Sequence, residues 1–124
     1  MKVKELMKTV HTISSNISLS EAAKIMSSRD VDTIIFMDKK KILGIMTEND
    51  MMENFSKGKT VKDVMIDKVI TIDANERVED ALEIMKKRKI KHLPVVDAGE
   101  LVGIVCMEDI ALHSEELEED FLID

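Results

Sequence analysis

Thr47 and Asp50 stand three residues apart at the end of an apolar run, and Cys106 and Asp109 repeat the spacing 59 positions later. The stretches around them read Gly44-Ile45-Met46-Thr47-Glu48-Asn49-Asp50 and Gly103-Ile104-Val105-Cys106-Met107-Glu108-Asp109. A hydroxyl and a carboxylate one helical turn apart suit the holding of a ribose. The carboxylate of Asp50 can accept from both sugar hydroxyls, and Thr47 can donate to sugar or phosphate. A helix beginning at that point adds free backbone N–H groups and a field that favours an anion. The same residues also make a capping box, with Asp at the position usually held by Glu or Gln. One tetrapeptide is compatible with both roles. Catalysis is poorly supplied, because no paired carboxylate, activated nucleophile or redox cysteine pair accompanies these residues.

The elements that must position them recur as well. Thr12, Ile13, Asn16, Ala22, Ile25, Met26, Arg29, Asp38, Gly44, Ile45 and Asp50 each meet an identical residue 59 positions on. Convergent packing reproduces apolar spacing but not Thr-Ile, Arg and Gly-Ile-…-Asp in register, so the chain is a duplication. A period this long with two copies marks a doubled domain rather than a solenoid. Each copy opens on a short helical turn, Val3-Lys4-Glu5-Leu6-Met7 or Val61-Lys62-Asp63-Val64-Met65. A brief β-branched edge strand follows, at 10–13 and 69–72. Next comes an amphipathic helix. In the first copy it carries Leu19, Ala22, Ala23, Ile25 and Met26 on one side, behind a cap at Ser18. In the second copy Arg77 occupies the place of Ser18, and Asn75 or Asp73 is expected to cap instead. Two nearly continuous apolar strands then pair through tight turns, 33–37 with 42–46 and 92–96 with 101–105, so both strand faces should be covered. Pro94 suggests an edge or starting position. A last helix, 48–55 in the first copy, stops near Gly58. The expected organisation is α/β (α+β): two β-α-β-β-α repeats at 1–59 and 60–112, then an acidic tail at 113–124 with Leu117, Phe121 and Leu122 at helical spacing.

Composition narrows the function. The chain of 124 residues carries a net charge of −7, with no Trp, no Tyr and three Phe, so aromatic platforms for single-stranded nucleic acid are missing. The negative charge argues against a duplex partner. It is uneven, at +2 over residues 1–60 and −9 over 61–124. No apolar run approaches a membrane span, and the lone Cys106 cannot form an internal disulfide, which points to the cytoplasm. His11, His92 and His113 lack metal-ligand spacing, so no metal is expected. The ten Met residues read as flexible core filler.

Two such repeats, each ending in Gly-hydrophobic-x-Thr-x-x-Asp or a near variant, resemble a pair of CBS domains, the Bateman module. The Thr12-Ile13 and Thr71-Ile72 pairs and His92-Leu93-Pro94-Val95-Val96-Asp97 strengthen the likeness, which spans about residues 1–112. The resemblance implies sheet-to-sheet packing with pseudo-twofold symmetry and clefts that hold AMP, ADP, ATP or S-adenosylmethionine as a regulatory ligand, with no catalytic cofactor. It also implies a homodimer and a regulated enzyme or transporter as partner. On this pattern Asp50 and Thr47 would meet the ribose in one cleft. Thr71 and Ile72 would line the adenine there, and Lys91 and His92 would meet the phosphate. The other cleft would use Asp109, Cys106, Thr12, Ile13 and, at the phosphate end, Asp32 and Thr33. Cys106 is a weak donor and Asp32 would repel a phosphate, so one competent nucleotide site is expected, in the first cleft, with the second empty or limited to a ligand of little negative charge such as S-adenosylmethionine. The expected function is a non-catalytic adenosyl sensor. The alternative is an adaptor whose clefts have lost their ligand.

Overall fold

The computed structural model describes residues 1–113. A 3₁₀ turn at Val3–Glu5 leads to β1 (His11–Ile13), α1 (Leu19–Arg29), β2 (Thr33–Asp38), β3 (Lys41–Thr47) and α2 (Glu48–Glu53). The second copy runs α3 (Val61–Val64), β4 (Ile72–Asp73), α4 (Val78–Arg88), β5 (His92–Asp97), β6 (Glu100–Cys106) and α5 (Met107–Leu112). Each copy contributes a three-stranded sheet, ordered β1-β2-β3 and β4-β5-β6. The first two strands of each are parallel and the last two antiparallel. The mixed α/β repeat expected from the sequence is therefore present. The acidic segment at 114–124, with Leu117, Phe121 and Leu122, lies outside the described residues.

The sequence repeats and the packed units are offset. Among the described residues, one unit comprises 10–69; the other joins 1–9 to 70–113. The packed units therefore do not divide where the sequence repeats do. Backbone hydrogen bonds explain the offset. In the continuous unit, Leu19 N–H donates to the Lys59 carbonyl and Val61 N–H to the Ile17 carbonyl, each at 2.9 Å. Ile45 and Ile66 exchange a pair at 2.9 and 2.8 Å. In the discontinuous unit, Val3 N–H donates to Glu76 at 2.8 Å and Lys4 N–H to Ala74 at 3.0 Å. Lys8 and Ile104 there exchange a pair at 2.9 and 3.0 Å. Each unit completes its own apolar cluster with the leading segment of the other repeat. Val61 and Val64 join Ile13, Leu19, Ala22, Met26, Ile34, Phe36 and Met46. Val3 and Leu6 join Ile72, Val78, Met85, Leu93, Val95 and others. Burying a valine side chain stabilises by about 1.5–3 kcal/mol, so these few residues decide where each unit closes.

The glycines of the repeated motif mark the crossing points. A Cβ on Gly103 would stand 2.9 Å from the Lys8 carbonyl oxygen, and one on Gly44 would stand 2.8 Å from Met65 Cγ. Beside each, a residue is left without a cross-strand partner: Leu43 between the Phe36–Gly44 and Met37–Ile42 pairs, Val102 between the Val95–Gly103 and Val96–Leu101 pairs. Such bulges bend the strand where the leading segment passes.

Local expectations fare unevenly. Ser18 caps α1, its Oγ accepting from Glu21 N–H at 3.1 Å. Arg77 is the residue before α4, where Asp80 inside the helix accepts from its N–H at 3.3 Å. Asp73 instead accepts from Asn75 N–H at 2.8 Å, closing a turn and not the helix. The second helix ends at Glu53, two residues short of the expected 55, and Gly58 does not stop it. Gly58 packs against α3, where a Cβ would meet Asp63 Cβ at 2.7 Å. Pro94 lies in the central strand and is fully buried. The parallel ladder with β4 starts only at Val95, so the donor that proline lacks is not needed on that side.

Candidate functional site

At one end of the continuous unit, β3 runs directly into α2 and β2 begins alongside. Thr47, the last residue of β3, has extended φ and ψ of −96° and 164°. Its hydroxyl accepts from Asp50 N–H at 3.2 Å and donates to Asp50 Oδ2 at 2.9 Å. That same Oδ2 accepts from Thr47 N–H at 2.9 Å. The capping role expected as one possibility is therefore realised in full. Thr33 pairs with Thr47 across the sheet, is buried, and donates through Oγ1 to Asp32 Oδ1 at 3.0 Å. Glu48 N–H donates to the Asp32 carbonyl at 2.8 Å, holding the first turn of α2 against the head of β2. The result is an acidic end carrying Asp32, Glu48 and Asp50.

The matching end of the discontinuous unit is built on the same scaffold with different charges. His92 pairs with Cys106, and Met107 N–H donates to the Lys91 carbonyl at 2.9 Å. Cys106 is buried and its side chain does not cap α5. Asp109 consequently lacks the threonine-type partner that Asp50 has. Its Oδ2 is buried without a hydrogen bond, and Lys8 Nζ stands 3.5 Å away. That separation is an ion pair but longer than an N–H···O bond of about 2.7–3.2 Å. Lys8 is half-exposed, whereas the Asp109 side chain is 23 % exposed. At the corresponding crossing of the continuous unit stands Ile66, not a cation.

Each group of site residues expected from the sequence draws on both units. Within a unit, the residues brought to one end are Asp32, Thr33, Thr47 and Asp50, and Lys91, His92, Cys106 and Asp109. Thr12 is exposed on the edge strand β1, and Thr71 just precedes β4. Ile13 and Ile72 belong to the apolar clusters, so much of their surface is committed to packing. Lys91 is exposed and His92 half-buried. Lys8 was not among the expected residues. Its repeat counterpart is an isoleucine, and nothing near it in sequence ties it to a position 101 residues on.

The profile of the CBS domain matches residues 3–57 and again 61–116. The chain belongs to the CBS domain family. It is 32% identical over 117 residues to the CBS domain-containing protein YhcV of Bacillus subtilis, covering 90% of this chain and 84% of that protein. It is 36% identical over 106 residues to inosine-5′-monophosphate dehydrogenase of Thermoplasma acidophilum, covering 85% of this chain. The match spans only 22% of that dehydrogenase. The CBS domain pair of protein MJ0100, solved with 5′-methylthioadenosine and S-adenosyl-L-methionine, superposes with a TM-score of 0.86 at 33% identity. That superposition covers 94% of this chain and 97% of the other. The tandem CBS arrangement expected from the sequence is thus established. Among the described residues, no helix is long and apolar enough to cross a membrane.

Proposed function

We propose that this CBS pair is a regulatory module that binds an adenosyl compound and passes its level to a partner enzyme or transporter in the cytoplasm. The observation that carries the reading is the likeness to the MJ0100 pair, at 33% identity over 94% of this chain, which was solved with two adenosyl ligands. Asp109 adds a chemical reason. A buried carboxylate oxygen with no hydrogen bond is an acceptor that a ribose hydroxyl would satisfy. Asp50 and Thr47 are the corresponding candidates in the other repeat, with Thr12, Ile13, Thr33, Thr71, Ile72, Lys91, His92 and Cys106 as lining. Self-association into a homodimer has support in the exposed Met52, Phe55 and Leu112, each at least two-thirds exposed.

The test is calorimetric titration of protein stripped of carried-over ligand, with AMP, ADP, ATP, S-adenosylmethionine and 5′-methylthioadenosine in parallel. Saturable heat with at least one of them is expected, and it should weaken with Asp109→Ala. A second reading has its own support: Thr47 and Asp50 already satisfy one another, as a ligand-free adaptor would require. No heat and no shift in melting temperature with any ligand would favour the adaptor.

A further inference from the structure

The two motif aspartates occupy equivalent places but keep different company. Asp50 is held by Thr47, and the crossing segment beside its strand presents Ile66. Asp109 is faced by Lys8, and Cys106 provides no cap. Lys8 is not loosely placed. Its N–H and C=O are both bonded to Ile104, at 2.9 and 3.0 Å, and its carbonyl lies against Gly103. The origin of the side chain is therefore fixed, and the ammonium stands 3.5 Å from Asp109 Oδ2. We propose that Lys8 sets ligand charge preference at the Asp109 site, favouring adenosyl compounds with an anionic 5′ group over neutral ones. This inference rests on the adenosyl-binding reading above.

The argument is one of charge balance. A ribose hydroxyl donating to Asp109 Oδ2 would complete the unfilled acceptor, while Lys8 offsets the charge of the carboxylate. With that charge neutralised, Lys91 and His92 at the head of β5 act on a phosphate without opposition from Asp109 itself. Glu108, a further carboxylate on α5, is exposed. Without Lys8, the carboxylate would repel an anionic ligand at short range. At the contrasting end, which carries Asp32, Glu48 and Asp50, the residue at the crossing is Ile66.

The experiment compares AMP with 5′-methylthioadenosine, which keeps the nucleoside and replaces the phosphate with a neutral thioether. Affinities are measured by calorimetry for the unaltered chain, Lys8→Ile and Lys8→Arg, with thermal unfolding of each variant recorded in the same buffer. Lys8→Ile copies the residue found at the other crossing. It is expected to weaken AMP about fivefold more than 5′-methylthioadenosine, the scale of a partly exposed charge contact. Lys8→Arg should keep the unaltered preference. In a chain already carrying Asp109→Asn, Lys8→Ile should no longer move the ratio. Equal weakening of both ligands, or a shift that persists with Asp109→Asn, would overturn the role proposed for Lys8 while leaving adenosyl binding intact. Binding of neither ligand by the unaltered chain would overturn the adenosyl reading itself and this inference with it.

Discussion

Gly44 and Gly103 are the same letter of the same repeat, yet adding one methyl group should affect them very differently. At Gly103 the new Cβ would lie 2.9 Å from the Lys8 carbonyl oxygen, a backbone atom. Ordinary contact requires a retreat of about half an ångström, because atoms closer than optimal separation repel steeply. The segment that must retreat is held by the Lys8–Ile104 pair of hydrogen bonds at 2.9 and 3.0 Å. Losing two such bonds costs about 2 kcal/mol net. At Gly44 the nearest atoms are the Met65 side chain, including Cγ at 2.8 Å and Cε at 3.0 Å. A thioether chain with three rotatable bonds can turn aside. The lower chain entropy of unfolded alanine returns about 0.4–1 kcal/mol in both variants. Gly103→Ala should therefore be destabilised by about 1–2 kcal/mol and lose about 4–8 °C in Tm. Gly44→Ala should stay within about 1 kcal/mol of the unaltered protein. Thermal and urea unfolding of both variants measures the difference. A neutral Gly103→Ala, or a Gly44→Ala at least as damaging, would refute the claim that backbone contact at the crossing is what requires glycine.

Three further outcomes follow from the same contacts. Asp63 accepts from Lys59 and Thr60 N–H at 3.0 Å each, and these bonds hold its pKa below the ordinary 3.8. A depressed carboxylate stabilises the fold above its unfolded value and loses that contribution as pH falls through the folded one, so the stability gap between the unaltered chain and Asp63→Ala should be constant near neutrality and close below about pH 4, as read by urea midpoints across pH. Ala98 has φ of 51° in the turn between β5 and β6; Ala98→Gly should stabilise by about 0.5–1 kcal/mol by relieving a left-handed conformation, and a lower melting temperature would contradict this. A fragment of residues 10–69 should unfold cooperatively by circular dichroism, whereas 1–59 should not, because only the former keeps Val61 and Val64; a cooperative transition in 1–59 would show that the leading segment is dispensable.

The duplication made most of the fold legible. Nearly continuous apolar runs, the Ser18 cap and the turn residues placed every strand and both long helices within a few positions. The failures arise where packing overrides the local signal. Gly58 looks like a helix stop but serves the approach of α3, and Pro94, read as an edge or starting position, lies in the central strand where β4 has not yet begun. The exchange of leading segments left no local trace at all. Val3 and Val61 have the same apolar character whichever repeat receives them, so periodicity places them on a buried face without saying whose.

The site was legible to the extent that it repeats. Equal spacing marked Asp50 and Asp109 as equivalent, and the difference between Thr47 and Cys106 was visible as a lost hydroxyl. From that loss the sequence suggests that the cleft containing Asp109 is the weaker. The structure gives the same loss another consequence. Where Thr47 is present, Oδ2 of the motif aspartate already accepts two hydrogen bonds; where Cys106 replaces it, Oδ2 accepts none and faces Lys8. A filled acceptor has less to gain from a ligand than an unfilled one, and a carboxylate facing a cation repels an anion less than one without. Loss of the hydroxyl and gain of the lysine thus act in the same direction, and the segment exchange brings the second to bear on the first.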